Sequence, residues 1–138
     1  MKKVLITLLI FAALGGGYGY YLWNKPPESM ATQKADLGMP AEQLFAAFKT
    51  DENAANAQYV GKIIVITGKV KESRMVDGTA KVTIEAGADD ATILCELDNN
   101  TQHKRTTFTT GETISMKGEC AGADIDGTVM LSHCAENN

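Results

Sequence analysis

Aromatic residues make up only 7% of this 138-residue chain, and beyond Gly61 Phe108 is the only Phe, Tyr or Trp. Basic charge is also scarce: 13 Lys and Arg stand against 17 Asp and Glu, for a net charge of −4. From Gly61 to Asn138 there are eight basic and twelve acidic residues, so the whole deficit falls in that segment. Proteins that bind single-stranded nucleic acid without sequence preference combine a basic groove with aromatic platforms, each stacked base contributing ~1–3 kcal/mol. Both ingredients are thin here, and a sequence pI near 5.1 points the same way. No CxxC occurs, so a thioredoxin-like redox site is not expected. The first cysteine is Cys95, so a lipid anchor on an N-terminal cysteine is not expected either. P-loop, GxGxxG and nucleophile-elbow patterns are missing, which argues against an enzyme and against a bound cofactor. The length allows one domain and little more.

One long apolar run is present. After Lys2 and Lys3 the chain is uncharged from Val4 to Trp23, twenty residues. At ~1.5 Å per residue a helix of that length spans roughly 30 Å, one hydrocarbon core. Ala12, Ala13 and Gly15 to Gly17 offer an imperfect cleavage site for a signal peptide. The run continues past them, however, into Tyr18, Tyr20, Tyr21 and Trp23, an interfacial aromatic belt in front of Lys25. Residues 1–24 are therefore expected to be an uncleaved single-pass anchor crossing the membrane through residues 4–23. Lys2 and Lys3 would stay cytoplasmic and the bulk of the chain would face the periplasm. Residues 25–39, with Pro26-Pro27 and no apolar periodicity, read as a linker holding the domain off the membrane.

Residues 40–138 read as the folded domain. Pro40 suits a first helical position, and Leu44, Phe45 and Phe48 share one face of a short helix. Thr50 offers the cap of a second helix that reaches Tyr59 and closes at Gly61. The period then changes. Ile63 to Val70 is β-branched, with Gly68 suggesting a bulge or bend. Further strands are expected over 80–86, 91–97, 113–118 and 128–134, separated by turn signals at Asp77-Gly78, Gly87 to Asp90 and Asp126-Gly127 and by a polar connection over 98–111. The fold class is mainly β. A long, bent first strand, a meander and a final hairpin fit a five-stranded OB-fold barrel, with an open five-stranded sheet as the alternative. Closure is preferred because alternating strands imply one buried face and a barrel has no free edges.

Several stretches also resemble a known family. Ala41 to Phe45, Asn53 to Lys62, Ile66 to Val70, Lys117-Gly118-Glu119-Cys120-Ala121-Gly122 and Val129 to Cys134 are similar to the tRNA-anticodon-like OB-fold family of small exported bacterial proteins. The anchor ending Tyr21-Leu22-Trp23-Asn24-Lys25-Pro26 is similar to membrane-anchored members. The resemblance implies an OB barrel and an extracytoplasmic address. It also places Cys120 and Cys134 in one C-terminal signature, which implies a Cys120–Cys134 disulfide. Strand geometry alone leaves Cys95 open as the partner of Cys134, since the third and fifth strands of an OB fold lie side by side.

For a ligand, Lys69, Lys71, Arg74 and Lys81 are candidates to line one basic patch, with Phe108 as the aromatic partner; His103-Lys104-Arg105 is a second basic cluster. Asp124-Ile125-Asp126-Gly127 is a fragment of a calcium loop without its distal Glu and reads as a turn. His133 and Cys134 are adjacent, so a strand would send them to opposite faces. No catalytic or metal-ligating residue is assigned. A Cys–His pair (Cys95 or Cys120 with His103 or His133) is the remaining nucleophilic arrangement. The expected function is a membrane-tethered binding or scaffold module for an envelope protein, peptide or glycan, with single-stranded nucleic-acid binding as the alternative.

Overall fold

A computed structural model describes residues 2–25, 28–87 and 90–137. Helix α1 (Lys2–Asn24) is long and apolar enough to cross a membrane by length and composition. Strand β1 (Leu37–Pro40) leads into α2 (Ala41–Thr50) and α3 (Glu52–Tyr59). The remaining strands are β2 (Ile63–Val76), β3 (Thr79–Glu85), β4 (Thr92–Leu97), β5 (Thr113–Ala123) and β6 (Val129–Glu136). Their order is β1-β2-β3-β4-β6-β5, and β5 also pairs with β2. Five strands thus close into a barrel, with β1 outside it and parallel to the first half of β2.

Closure works because β2 is long and serves two neighbours. Its first half pairs with β5 from Ile63 to Lys69, and its second half pairs with β3 from Val70 to Val76. Gly68 lies where the two halves meet. A Cβ there would stand 2.5 Å from Ile84 Cγ2 and 3.1 Å from the Cβ of Ala41, so the expected bend at this glycine is a site of close approach. The register shift itself falls later, between Val70 and Glu72. β2 runs six residues beyond the expected end at Val70, because its exposed Lys71, Glu72 and Arg74 face solvent and carry no apolar signal.

Alternation sends Ile64, Ile66, Val82, Ile84, Ile93, Cys95, Met116 and Leu131 into one core, all at most 1% exposed. Leu44 and Phe48 of α2, with Ala55 and Tyr59 of α3, join that core. Phe45 is only partly buried. Asp51, rather than Thr50, caps α3, its Oδ1 accepting from the Ala54 N–H at 3.1 Å.

Within the stretch whose composition reads as a linker, residues 29–39 lie against the barrel. Met30 is buried, its N–H donates to Asp98 Oδ2 at 3.5 Å, and the Ser29 and Thr101 hydroxyls lie 2.8 Å apart. The buried Lys117 ammonium donates to the carbonyls of Ala31 (3.0 Å) and Gln33 (2.8 Å). Asp36 then exchanges hydrogen bonds with Ile63, and β1 follows. Residues 29–40 are a belt that starts beside Asp98, crosses β5 over Lys117 and ends on the edge of β2. Polar segments of this kind hold by backbone groups, which leave no periodicity to read.

Candidate ligand-binding face

Strand pairing brings two of the four candidate basic residues together. Arg74 of β2 faces Lys81 of β3, which faces Glu96 of β4, forming one cross-strand row. Each cation already has a carboxylate: Arg74 lies 3.7 Å from Glu72, and Lys81 lies 3.6 Å from Glu96. Exposed pairs of this length contribute only ~0–1 kcal/mol to stability, but they cancel the local charge. Lys71 sits at the register shift, and Lys69 lines a separate cleft of about 360 Å³ with Glu42, Glu85 and Thr113. The four residues therefore do not form one basic patch. Beside the row, Thr83, Leu94 and Met130 run across β3, β4 and β6, all half-buried.

Phe108 does not complete this face. It is 5% exposed, within the core, and its N–H donates to Ser73 Oγ at 3.2 Å. The Arg105 guanidinium stacks 4.6 Å above its ring. Arg105 in turn pairs with Glu112 at 2.6 Å and Glu136 at 2.7 Å. Hydrogen bonding to Glu136 and then Glu112 pushes the Arg105 pKa further up, and the same contact holds the Glu112 carboxyl below its usual range. The His103-Lys104-Arg105 cluster thus fastens the β4–β5 connection: Arg105 is spent on carboxylates, and His103 Nε2 lies 2.6 Å from the Asp98 carbonyl.

The remaining candidates resolve in the same structural way. Asp124 builds a turn, accepting from the Ile125 N–H through Oδ1 at 2.7 Å and from the Gly127 N–H through its carbonyl at 2.8 Å. Among the described residues no three His, Cys, Asp or Glu side chains gather as a metal site. At the belt's start, burial would raise the Asp98 pKa, but hydrogen bonds from Thr101, Asn100 and Met30, with His133 nearby, outweigh it and hold the carboxyl low.

All three cysteines are buried, unpaired thiols, so the Cys120–Cys134 bridge implied by the resemblance is not made in this structure. The register explains why. His133 adopts φ +52° in a bulge opposite β4, so it points out while Cys134 turns inward. Cys134 lies opposite Leu97 and beside Cys95, whereas Cys120 lies opposite Leu131. Neither histidine hydrogen bonds a cysteine among the described residues. Burial pushes both the Cys120 and the Cys134 thiols up, and the thiolate is the reactive form. Cys120 and Cys134 of the native, reduced protein are therefore expected to resist maleimide at neutral pH and to react after denaturation. Fast native labelling at either position, read by peptide mass, would contradict the packing.

A closed five-stranded barrel in this strand order is an OB-type binding fold. The chain matches the tRNA_anti-like family over residues 1–135 and belongs to it. Its structure is similar to a crystal structure from Klebsiella pneumoniae subsp. pneumoniae MGH 78578, described as a candidate nucleic acid-binding lipoprotein. The TM-score is 0.61 at 14% identity, covering 82% of this chain and 100% of that one. A second similar structure is from Leishmania major Friedlin, described as a candidate aspartyl-tRNA synthetase. There the TM-score is 0.50 at 11% identity, covering 80% of this chain but 23% of that one. At these identities the likeness is one of fold. None of the curated proteins matches.

Proposed function

We propose that this protein is a membrane-tethered, extracytoplasmic binding module without catalytic activity, anchored by α1 and presenting the β2–β3–β4–β6 face to an envelope protein or peptide. The observation that carries the choice of partner is the neutralised row Arg74–Lys81–Glu96 beside the apolar pair Leu94 and Met130. A mixed face of small polar, aliphatic and paired charged groups suits a protein surface, since non-obligate interfaces are about as apolar as the surface around them. A glycan would fit the fold but finds no aromatic platform on this face. The uncleaved anchor is supported by the apolar length of α1 and by its Tyr/Trp-rich end.

Single-stranded nucleic-acid binding is the second reading, favoured by the description of the Klebsiella structure. Retention on single-stranded DNA at graded salt separates the two. The module is expected to show only the sequence-independent background, Kd about 10⁻⁴ M or weaker at physiological salt. Tight retention that falls linearly with the logarithm of salt would establish nucleic acid as the partner. A photo-crosslinker at Leu94 or Met130 in cells is expected to capture an envelope protein.

A further inference from the structure

The belt has a consequence for where the barrel sits, and it rests on the anchor reading above. If residues 25–39 were free, fifteen residues would give the domain a reach of up to ~54 Å. The structure leaves far less. Helix α1 ends at Asn24, and Ser29 is already fixed to Thr101, with Met30 buried beside Asp98. Five Cα steps reach at most ~18 Å. The headgroup layer on each side of a bilayer takes about 5–8 Å of that. What remains is too short for a domain of this size to turn freely above the surface.

The first fixed point also selects a pole. β4 runs from Thr92, near Val129, to Leu97, opposite Cys134, so Asp98 and the connection that follows lie at one end of the barrel. The Asp124–Thr128 turn lies at the other. Lys104 stands on the first pole, exposed and without a carboxylate partner among the described residues. A lysine so placed suits an anionic phospholipid headgroup.

We propose that residues 29–40 strap the barrel to the bilayer with the 98–105 loop against the phospholipid headgroups, leaving the Asp124–Thr128 pole facing away. The surface is held by the belt, and Lys104 contributes the contact with lipid phosphate.

The test uses the full chain in vesicles of phosphatidylethanolamine and phosphatidylglycerol carrying a headgroup nitroxide. A fluorophore is placed at Gln102→Cys, exposed on the same loop with Lys104 kept, or, separately, at Ile125→Cys, which is fully exposed. The native thiols are buried and stay unlabelled. Quenching is expected to be severalfold greater at position 102 than at 125. Equal quenching in protein that floats with the vesicles would overturn the docked orientation while leaving the anchor standing. Protein that fails to float would overturn the anchor itself, and with it this proposal. A Gly/Ser insertion of about twelve residues after Glu28 adds reach without touching the belt, and is expected to abolish the difference between the two positions. If the difference persists in that variant, length is not what holds the barrel down.

Discussion

Phe48→Ala is expected to destabilise the domain by ~3–5 kcal/mol, a large share of the ~5–15 kcal/mol available to a domain of this size. Phe48 is 5% exposed on the last turn of α2. Its ring centre lies 6.2 Å from that of Tyr59 at 36°, an arrangement that adds aromatic contact to simple burial. The pair ties α2 to α3, and Leu44 beside it is fully buried. Truncation leaves a cavity between two short helices, and backbone joined directly to β1 before α2 and to β2 after α3 limits collapse. In urea the midpoint should fall with the slope unchanged. Phe45→Ala, on a partly buried neighbour, should cost about 1 kcal/mol. An unchanged midpoint for Phe48→Ala would mean that the helices are a detached spacer rather than part of the core.

Gly118→Ala should cost ~1–3 kcal/mol through overpacking, although it adds one methyl to a strand where glycine is intrinsically poor. The new Cβ would stand 2.5 Å from Cys134 Sγ, 3.1 Å from the Ser132 carbonyl and 3.3 Å from Leu131 Cβ. The sulfur has nowhere to go. It is fully buried next to Cys95, and its S–H reaches the Leu131 carbonyl at 3.3 Å. The clash therefore reads out the bulge at His133, the feature that turns Cys134 inward. Combining Gly118→Ala with Cys134→Ala should recover part of the loss, because the closest contact disappears while the backbone contact at Ser132 remains. Strictly additive losses in the double variant would place Cys134 elsewhere.

The barrel was legible because its strands announce themselves. Ile63 to Ile66, Val82 with Ile84, Ile93 with Leu97, and Val129 with Leu131 alternate or cluster as β-branched and aliphatic residues do when one face is buried. Three features left no such trace. The belt from Ser29 to Asp36 binds through backbone N–H and carbonyl groups, the Ser29 hydroxyl, the Asp36 carboxylate and a single buried methionine, and Lys117 reads as any strand lysine until its two acceptors are seen. The inward turn of Cys134 depends on a positive φ at His133, a conformation that histidine adopts more often than most residues but does not signal. The candidate basic patch failed on register: residues near in sequence were separated by the bend and bulge in β2, and each cation that reached the face met a carboxylate from the same row or strand. Phe108 stands out in the sequence as the lone aromatic of its segment, whereas in the structure it is buried in the core with the Arg105 guanidinium over its ring.

Anchorage outside the cytoplasm is the central claim, and intact mass combined with protease accessibility tests it most directly. Expressed with a C-terminal tag in a bacterial cell, the chain is expected in the membrane fraction with Val4 to Trp23 still attached. Its barrel should be cut by protease only after the outer barrier is opened. A soluble periplasmic form that begins after Ala13 or Gly17, or a tag that protease reaches only from the cytoplasmic side, would contradict the account.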